Sequence, residues 1–328
     1  RAVSTKDYEV YVKKLFANTQ AVSVWGGEDG SYDTSTGVSS TPEYGKVFIS
    51  IKSTTGQSLT TVQKTNLVVA LAPYKVSSIT PVIVDAETTF LILGVTFQYD
   101  SSITTLNITD ISTKISSTLE NYNNNNLQSF NNTFRHSALL GLIDNSDNSI
   151  MNNTTTVIMA QYYTPTLGTS ASKIFNFANP FYSPHSGHNA AGGGIVASTG
   201  FYLDNGTTEY FLDDDGVGNL RIYSLSGLTR IYFNNFAGTV DYANGKITLG
   251  SVNITGISNV DGTLSTRIRV TVIPSSYDIV PVRNQILEID LVNTNVSGSI
   301  DAAATTGLGY ITIQTGSSST TTVSTTSS

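Results

Sequence analysis

The sequence predicts an α+β protein, with an N-terminal α/β part built on a split βαβ (ferredoxin-like) sheet and a mainly β domain after it. Three observations carry this expectation. Helical and strand patterns alternate as far as Tyr163, and almost every signal after it is strand or turn. Only 12% of the 328 residues are charged, about half the usual share, while Ser, Thr and Asn are abundant. With 27 Gly and 8 Pro, the chain has the turn chemistry that many short strands require.

Ser4 or Thr5 can cap a first helix, with Asp7 in its first turn near the positive end of the dipole. Tyr8, Tyr11, Val12, Leu15 and Phe16 then recur at helical spacing and form one apolar face. A strand over Ala21–Trp25 and a polar loop from Gly26 to Tyr44 follow. Lys46–Ile51 reads as strand from its Val-Phe-Ile content. A second helix starts at Ser58, runs through Val69 and ends at Pro73. Ile79–Val84 is an apolar strand that Pro81 confines to an edge or a bulge. In Thr89–Tyr99 the residues Leu91, Leu93, Val95, Phe97 and Tyr99 alternate onto one face. Ile108, Ile111, Ile115, Leu119 and Tyr122 mark a third helix, Leu139–Ile143 a short fourth, and Val157–Tyr163 a closing strand. In order, residues 45–163 are β-α-β-β-α-β, the pattern of a four-stranded split βαβ sheet.

Beyond Tyr163, Tyr210–Tyr223 reads as a hairpin around Asp213-Asp-Asp-Gly216, and Thr239–Leu249 as another with Asn244-Gly245 at its turn. Ile268, Val270 and Val272 alternate with polar residues, as do Leu287, Ile289 and Leu291, which suits a sandwich or an irregular β domain. Tyr182–Thr199 reads as a long flexible loop. From Gly316 onward the chain is almost pure Ser and Thr, and alone is expected to be disordered. The expected domains are therefore 1–44 (helix, strand and polar loop), 45–163 (split βαβ), 164–315 (mainly β) and 316–328 (tail).

Composition excludes several functions. Without Cys there is no disulfide framework, thiol nucleophile or Cys-based zinc site. The apolar run Phe90–Val95 is too short for a membrane helix. A net charge of −7 with no basic stripe argues against nucleic acid. No secretory leader is visible, and the Asn-x-Ser/Thr triplets at Asn107, Asn131, Asn152, Asn153, Asn205, Asn253 and Asn295 are what an Asn- and Thr-rich chain yields by chance.

No group of residues reads as chemistry. His185 and His188 lack carboxylate or thiolate companions at ligand spacing, and His136 suits helix-end packing. Asp213, Asp214 and Asp215 lack the alternate spacing and distal Glu of a calcium loop and fit a turn better. Asp85 and Glu87 stand where two apolar strands connect, a place that favours charge anyway. Gly238–Lys246 has Val240 where a phosphate loop needs Gly, and no nucleophile elbow occurs. The expectation is no enzyme: no catalytic residue, cofactor site or metal ligand is assigned.

A family resemblance runs along the chain. It is carried by Ala2-Val-Ser-Thr-Lys-Asp-Tyr-Glu9, Ala21-Val-Ser-Val-Trp-Gly-Gly-Glu-Asp29, Tyr44-Gly-Lys-Val-Phe-Ile-Ser-Ile-Lys52 and Leu59-Thr-Thr-Val-Gln63. Ser78-Ile-Thr-Pro81, Phe130-Asn-Asn-Thr-Phe134 and Asp144-Asn-Ser-Asp-Asn-Ser-Ile150 continue it. Gly238-Thr-Val-Asp-Tyr242, Gly245-Lys-Ile247 and Asp278-Ile-Val-Pro-Val-Arg-Asn-Gln-Ile-Leu287 extend it more weakly. Together these segments resemble the C-terminal half of the baseplate wedge subunits of T-even-type contractile-tailed phages, within the wider baseplate J-like family. The Asn- and Thr-rich style is similar to that of phages of marine cyanobacteria.

The resemblance implies a structural virion protein of the tail baseplate, present in the host cytoplasm during assembly. It implies pairing with other copies of the chain, contact with neighbouring wedge proteins, and joining of wedges into a ring around the tail hub. It also implies no nucleic acid, membrane or small-molecule partner. The family's N-terminal half is missing, and Arg1 in place of Met suggests a fragment. A ring that changes diameter on sheath contraction suggests hinge motion near Tyr163–Thr169. Low charge suits such a role, because unpaired charge is costly to desolvate at an interface.

Two other classes compete. A surface adhesin could stack sugars on Tyr202, Tyr210, Tyr223 and Tyr232, although alternating aromatics are more often core or cross-strand pairs. A glycosidase or peptidase would need Asp85, Glu87 or Asp213 positioned in a cleft.

Overall fold

A computed structural model describes residues 1–33, 37–56, 58–183, 194–260, 262–301, 310–315 and 319–324. Its first half runs α1 (Thr5–Leu15), β1 (Thr19–Gly26), β2 (Ser31–Asp33), β3 (Gly37–Ser39), β4 (Lys46–Ser53), α2 (Thr61–Leu71), β5 (Thr80–Asp85), β6 (Glu87–Tyr99), α3 (Ile108–Tyr122), α4 (His136–Asp144) and β7 (Ile150–Tyr163). The second half continues β8 (Thr169–Asn176), β9 (Val196–Ser198), β10 (Phe201–Leu203), β11 (Glu209–Asp214), β12 (Asn219–Ser226), β13 (Thr229–Asp241) and β14 (Lys246–Ile257). It ends with β15 (Ile268–Val272), β16 (Gln285–Ile289), β17 (Asn295–Ile300), β18 (Tyr310–Thr315) and β19 (Ser319–Ser324). An α+β chain with a β-rich second half is therefore observed.

The element order within 45–163 is the expected one, but the four strands do not share a sheet. β4 and β5 join β1 in the order β1-β4-β5, whereas β6 and β7 belong to a sheet ordered β16-β6-β7-β15-β9, with β17 beside β6. Two apolar strands separated by Ala86 alone have no room to fold back as a hairpin in one sheet, so the chain passes directly from one sheet to the next. The three-stranded sheet pairs β4 antiparallel with β1 and parallel with β5, the α2 crossover providing the connection. Pro81 sits on the edge strand β5, where its missing N–H costs no ladder bond.

Contacts divide the chain into two compact units. The first comprises Arg1–Leu91, Asn126–Phe134 and Ile158–Glu288. Capping boxes start both of its helices: Ser4 with Asp7 on α1, and Thr60 with Gln63 on α2. The second cap moves the helix start from Ser58 to Thr61. Tyr8, Val12, Leu67 and Leu71 from the helices pack with Val47, Ile49 and Ile51 of β4. Phe48 points to the other face, stacked on Trp25 at 5.5 Å and packed with Val84. Burial of both faces explains the near-continuous apolar run of β4.

The same unit holds a closed ring rather than a sandwich. Strands β10 to β14 pair in sequence, and β10 also pairs with β14, while β8 adds to the outer edge of β14. Phe201, Leu203, Leu212, Leu220, Ile222, Val240, Leu249 and Ile254 are among its buried apolar residues. Closure removes most free strand edges from these five strands.

In the second unit (Ile92–Asn125, Arg135–Val157 and Ile289–Ser328), α3 is capped by Asn107 with Asp110. Its Ile111, Ile115, Leu119 and Tyr122 are buried, as are Leu93, Val95, Phe97 and Tyr99 of β6. β17 pairs parallel with β6, from Asn295↔Gly94 to Ile300↔Tyr99.

Four local expectations change. The polar loop 26–44 contains the β2–β3 pair. The loop 182–199 contains β9, which pairs with β15, and its residues 184–193 lie outside the described residues. β16 ends at Ile289, so Leu291 is exposed and Asp290 turns inward to accept from the backbone N–H and side-chain amide of Asn293 at 3.2 and 2.7 Å. The tail residues Ser319–Ser324 pair with β18, because backbone pairing needs no apolar side chain and Thr favours extended backbone.

Candidate interaction surface

The three consecutive aspartates at the β11–β12 hairpin each have protein donors of their own. Asp213, 1% exposed, accepts from Arg221 Nε and Nη2 at 2.9 and 3.2 Å, from Arg230 Nη1 at 2.6 Å and from the Tyr232 hydroxyl at 3.0 Å. Asp214 accepts from the Val196 N–H at 2.9 Å and the Tyr242 hydroxyl at 2.6 Å. Burial first, and the Asp214 carboxylate next, hold Tyr242 protonated far above the usual phenol range. Asp215 closes the turn, accepting from the N–H groups of Val217 and Asn219 at 2.9 and 3.0 Å. The turn reading therefore holds for Asp215 alone, whereas Asp213 and Asp214 lie on β11 and are buried among their own donors.

The other singled-out residues lie apart from it. His136 opens α4 and donates from Nε2 to the Thr155 carbonyl at 2.7 Å, a helix-end contact. His185 and His188 are outside the described residues. Asp85 pairs with Lys64 at 2.7 Å. Glu87 has its carboxyl pushed up by burial, which Lys173 opposes and Asp85 slightly reinforces. A raised folded-state value means stability is fullest below the ordinary carboxylate range and is lost as pH rises through the folded value. Glu87→Gln should therefore raise the thermal midpoint at pH 7 and leave it unchanged near pH 4. A variant less stable at pH 7 would show instead that Lys173 dominates.

The four tyrosines do not form a sugar platform. Tyr223 is buried opposite Tyr232, with ring centroids 6.0 Å apart, and Arg230 lies 4.6 Å over Tyr223 while Arg221 lies 4.2 Å over Tyr232. Tyr210 packs on Phe233 at 5.0 Å. Tyr202 pairs across to Gly256.

Exposed apolar residues on regular elements are the feature that sequence patterning missed. Val62 and Val69 project from α2, at 67% and 66% exposure, on the side away from Leu67 and Leu71. On the β12–β13 hairpin, Ile231, Phe233 and Phe236 are 53%, 58% and 76% exposed, and Leu228 at its turn is wholly so. The alternation Ile231-Tyr-Phe233 reads as an ordinary half-buried strand, and only the pairing pattern shows that the face is uncovered. Such clusters on a weakly charged surface mark protein interaction sites.

Uncovered apolar faces on α2 and on the β12–β13 hairpin, both in the first unit, are the mark of a protein that meets other proteins. The family comparisons make the class specific. Residues 4–84 match the baseplate structural protein gp6, C-terminal domain I, and residues 87–162 match its C-terminal domain III. Residues 4–84 and 87–162, together just under half of the chain, are thus similar in chain order to two domains of the gp6 baseplate structural family. The junction between the two matches falls at Asp85–Glu87, where the chain passes from one sheet to the other. The baseplate wedge protein gp6 of Enterobacteria phage T4 is 25% identical over 174 residues, 51% of this chain. The match spans about a quarter (24%) of that relative's length.

Proposed function

We propose that the chain acts as a baseplate wedge subunit with no enzymatic role, which associates with copies of itself and with neighbouring wedge proteins. In this reading it joins wedges into the ring around the tail hub and supports the rearrangement of that ring on sheath contraction. The observation that carries the proposal is the ordered match of residues 4–162 to two gp6 C-terminal domains. Low charge and uncovered apolar side chains support it, since both lower the desolvation cost of broad protein contacts.

Light scattering on the purified chain, alone and mixed with a neighbouring wedge protein, tests the proposal. The expected result is a self-associated species alone and a larger assembly in the mixture. Monomer in both samples would contradict it. Glycan-array binding by the chain without any self-association would favour the adhesin instead.

A further inference from the structure

The β12–β13 hairpin extends beyond the closed ring. β14 pairs with β13 only over Gly238–Asp241, and β11 reaches β12 only as far as Tyr210↔Ser224. From Thr229 to Asn235, β13 therefore has β12 on one side and, among the described residues, no strand on the other. Half of the backbone N–H and C=O groups in such a segment point outward, ready to template another strand. Natural edges are usually blunted by Pro, Lys or inward charge. Thr229-Arg-Ile-Tyr-Phe-Asn-Asn-Phe236 has no Pro, Lys or acidic residue, and its single charge, Arg230, is held by Asp213.

We infer that this edge is a self-pairing surface, on which β13 of a second copy of the chain docks antiparallel across a two-fold axis at Tyr232. The inference rests on the self-association reading above and names its contact. Symmetry about Tyr232 sets Ile231 opposite Phe233, Arg230 opposite Asn234 and Thr229 opposite Asn235. No like charges meet, and β-branched and aromatic residues face one another, the favoured cross-strand combination. Ile231 and Phe233 lie on one face, where Phe233 already packs on Tyr210. The two-fold merges both sets into one apolar cluster that neither copy can cover alone. The contact would cover the exposed Ile231 and Phe233 side chains and the free backbone edge of both copies.

The absence of native Cys makes the test clean. In the full chain, Ile231→Cys with Phe233→Cys should give a covalent dimer under mild oxidation, and Thr239→Cys, on the stretch of β13 already paired on both sides, should not. Separately, Phe233→Asp should weaken self-association by about tenfold or more while leaving the circular dichroism spectrum unchanged. If Phe233→Asp misfolds, the cysteine crosslink decides alone. Wild-type self-association with no 231–233 crosslink, and none lost in Phe233→Asp, overturns the hairpin contact and leaves the wedge reading standing. A monomeric wild type overturns both. A hairpin that binds only a strand of a different baseplate protein overturns pairing with a second copy.

Discussion

Replacing Asp213 by Ala should destabilise the first unit by about 3–5 kcal/mol, the cost of removing one partner from a buried charge cluster. The physical reason is what remains. The Arg221 side chain is 7% exposed, and both it and Arg230 direct donors at Asp213, so the variant leaves two guanidinium groups facing each other with no anion between them. Neither can swing fully into water, because each lies against a tyrosine ring, Arg221 on Tyr232 and Arg230 on Tyr223. The Tyr232 hydroxyl also loses its acceptor. Asp213→Asn keeps an acceptor but not the charge, and should fall between wild type and Ala. Urea unfolding followed by circular dichroism measures the loss. Asp241→Ala is the matched control, because Asp241 is exposed at a turn and bonds locally to Ala243 and Asn244; its cost should be about 1 kcal/mol or less. Equal losses for the two variants would show that the Asp213 cluster contributes no more than a surface turn does.

Gly245→Ala should cost about 2–4 kcal/mol, combining a left-handed backbone penalty with a steric collision. Gly245 closes the β13–β14 turn at φ +64°, and a Cβ there would run into the Asn179 carbonyl. That approach is built in, because Phe177 N–H donates to the Gly245 carbonyl at 2.9 Å and holds the segment after β8 against the turn. Gly227 provides the comparison. It has a similar φ of +62° but open space where its Cβ would be, so Gly227→Ala should cost only about 1–2 kcal/mol for the backbone. Thermal unfolding of the two variants separates conformational strain from collision. If they lose the same stability, the Asn179 contact is not tight.

Local structure was legible in the sequence wherever one element decides it. The apolar stripe of α3, the alternation of β6 from Leu91 to Tyr99, the cap at Ser4 and the Asn244-Gly245 turn are all short-range signals, and each is observed. Strand partnership was not legible, because a strand's pattern says which face is buried and nothing about its neighbour. β4 carries apolar residues on both faces, and no local pattern distinguishes β1 from β6 as its companion. The closing contact of the ring, from β10 to β14, joins residues about fifty positions apart across Phe201↔Ile257 and leaves no sequence trace. The candidate surface was hidden for the same reason: Ile231 and Phe233 become conspicuous only once the pairing of β13 with β14 is seen to stop at Gly238. Family resemblance reached the baseplate assignment through ordered segments of the first half, not through any single motif.

The account depends most on self-association of the chain. Sedimentation of the wild-type chain across a concentration series measures it directly, against a monomer mass of 35.0 kDa. The account predicts a mass that rises with concentration to twice that value and returns to one copy on dilution. A constant single-copy mass at every concentration would contradict it.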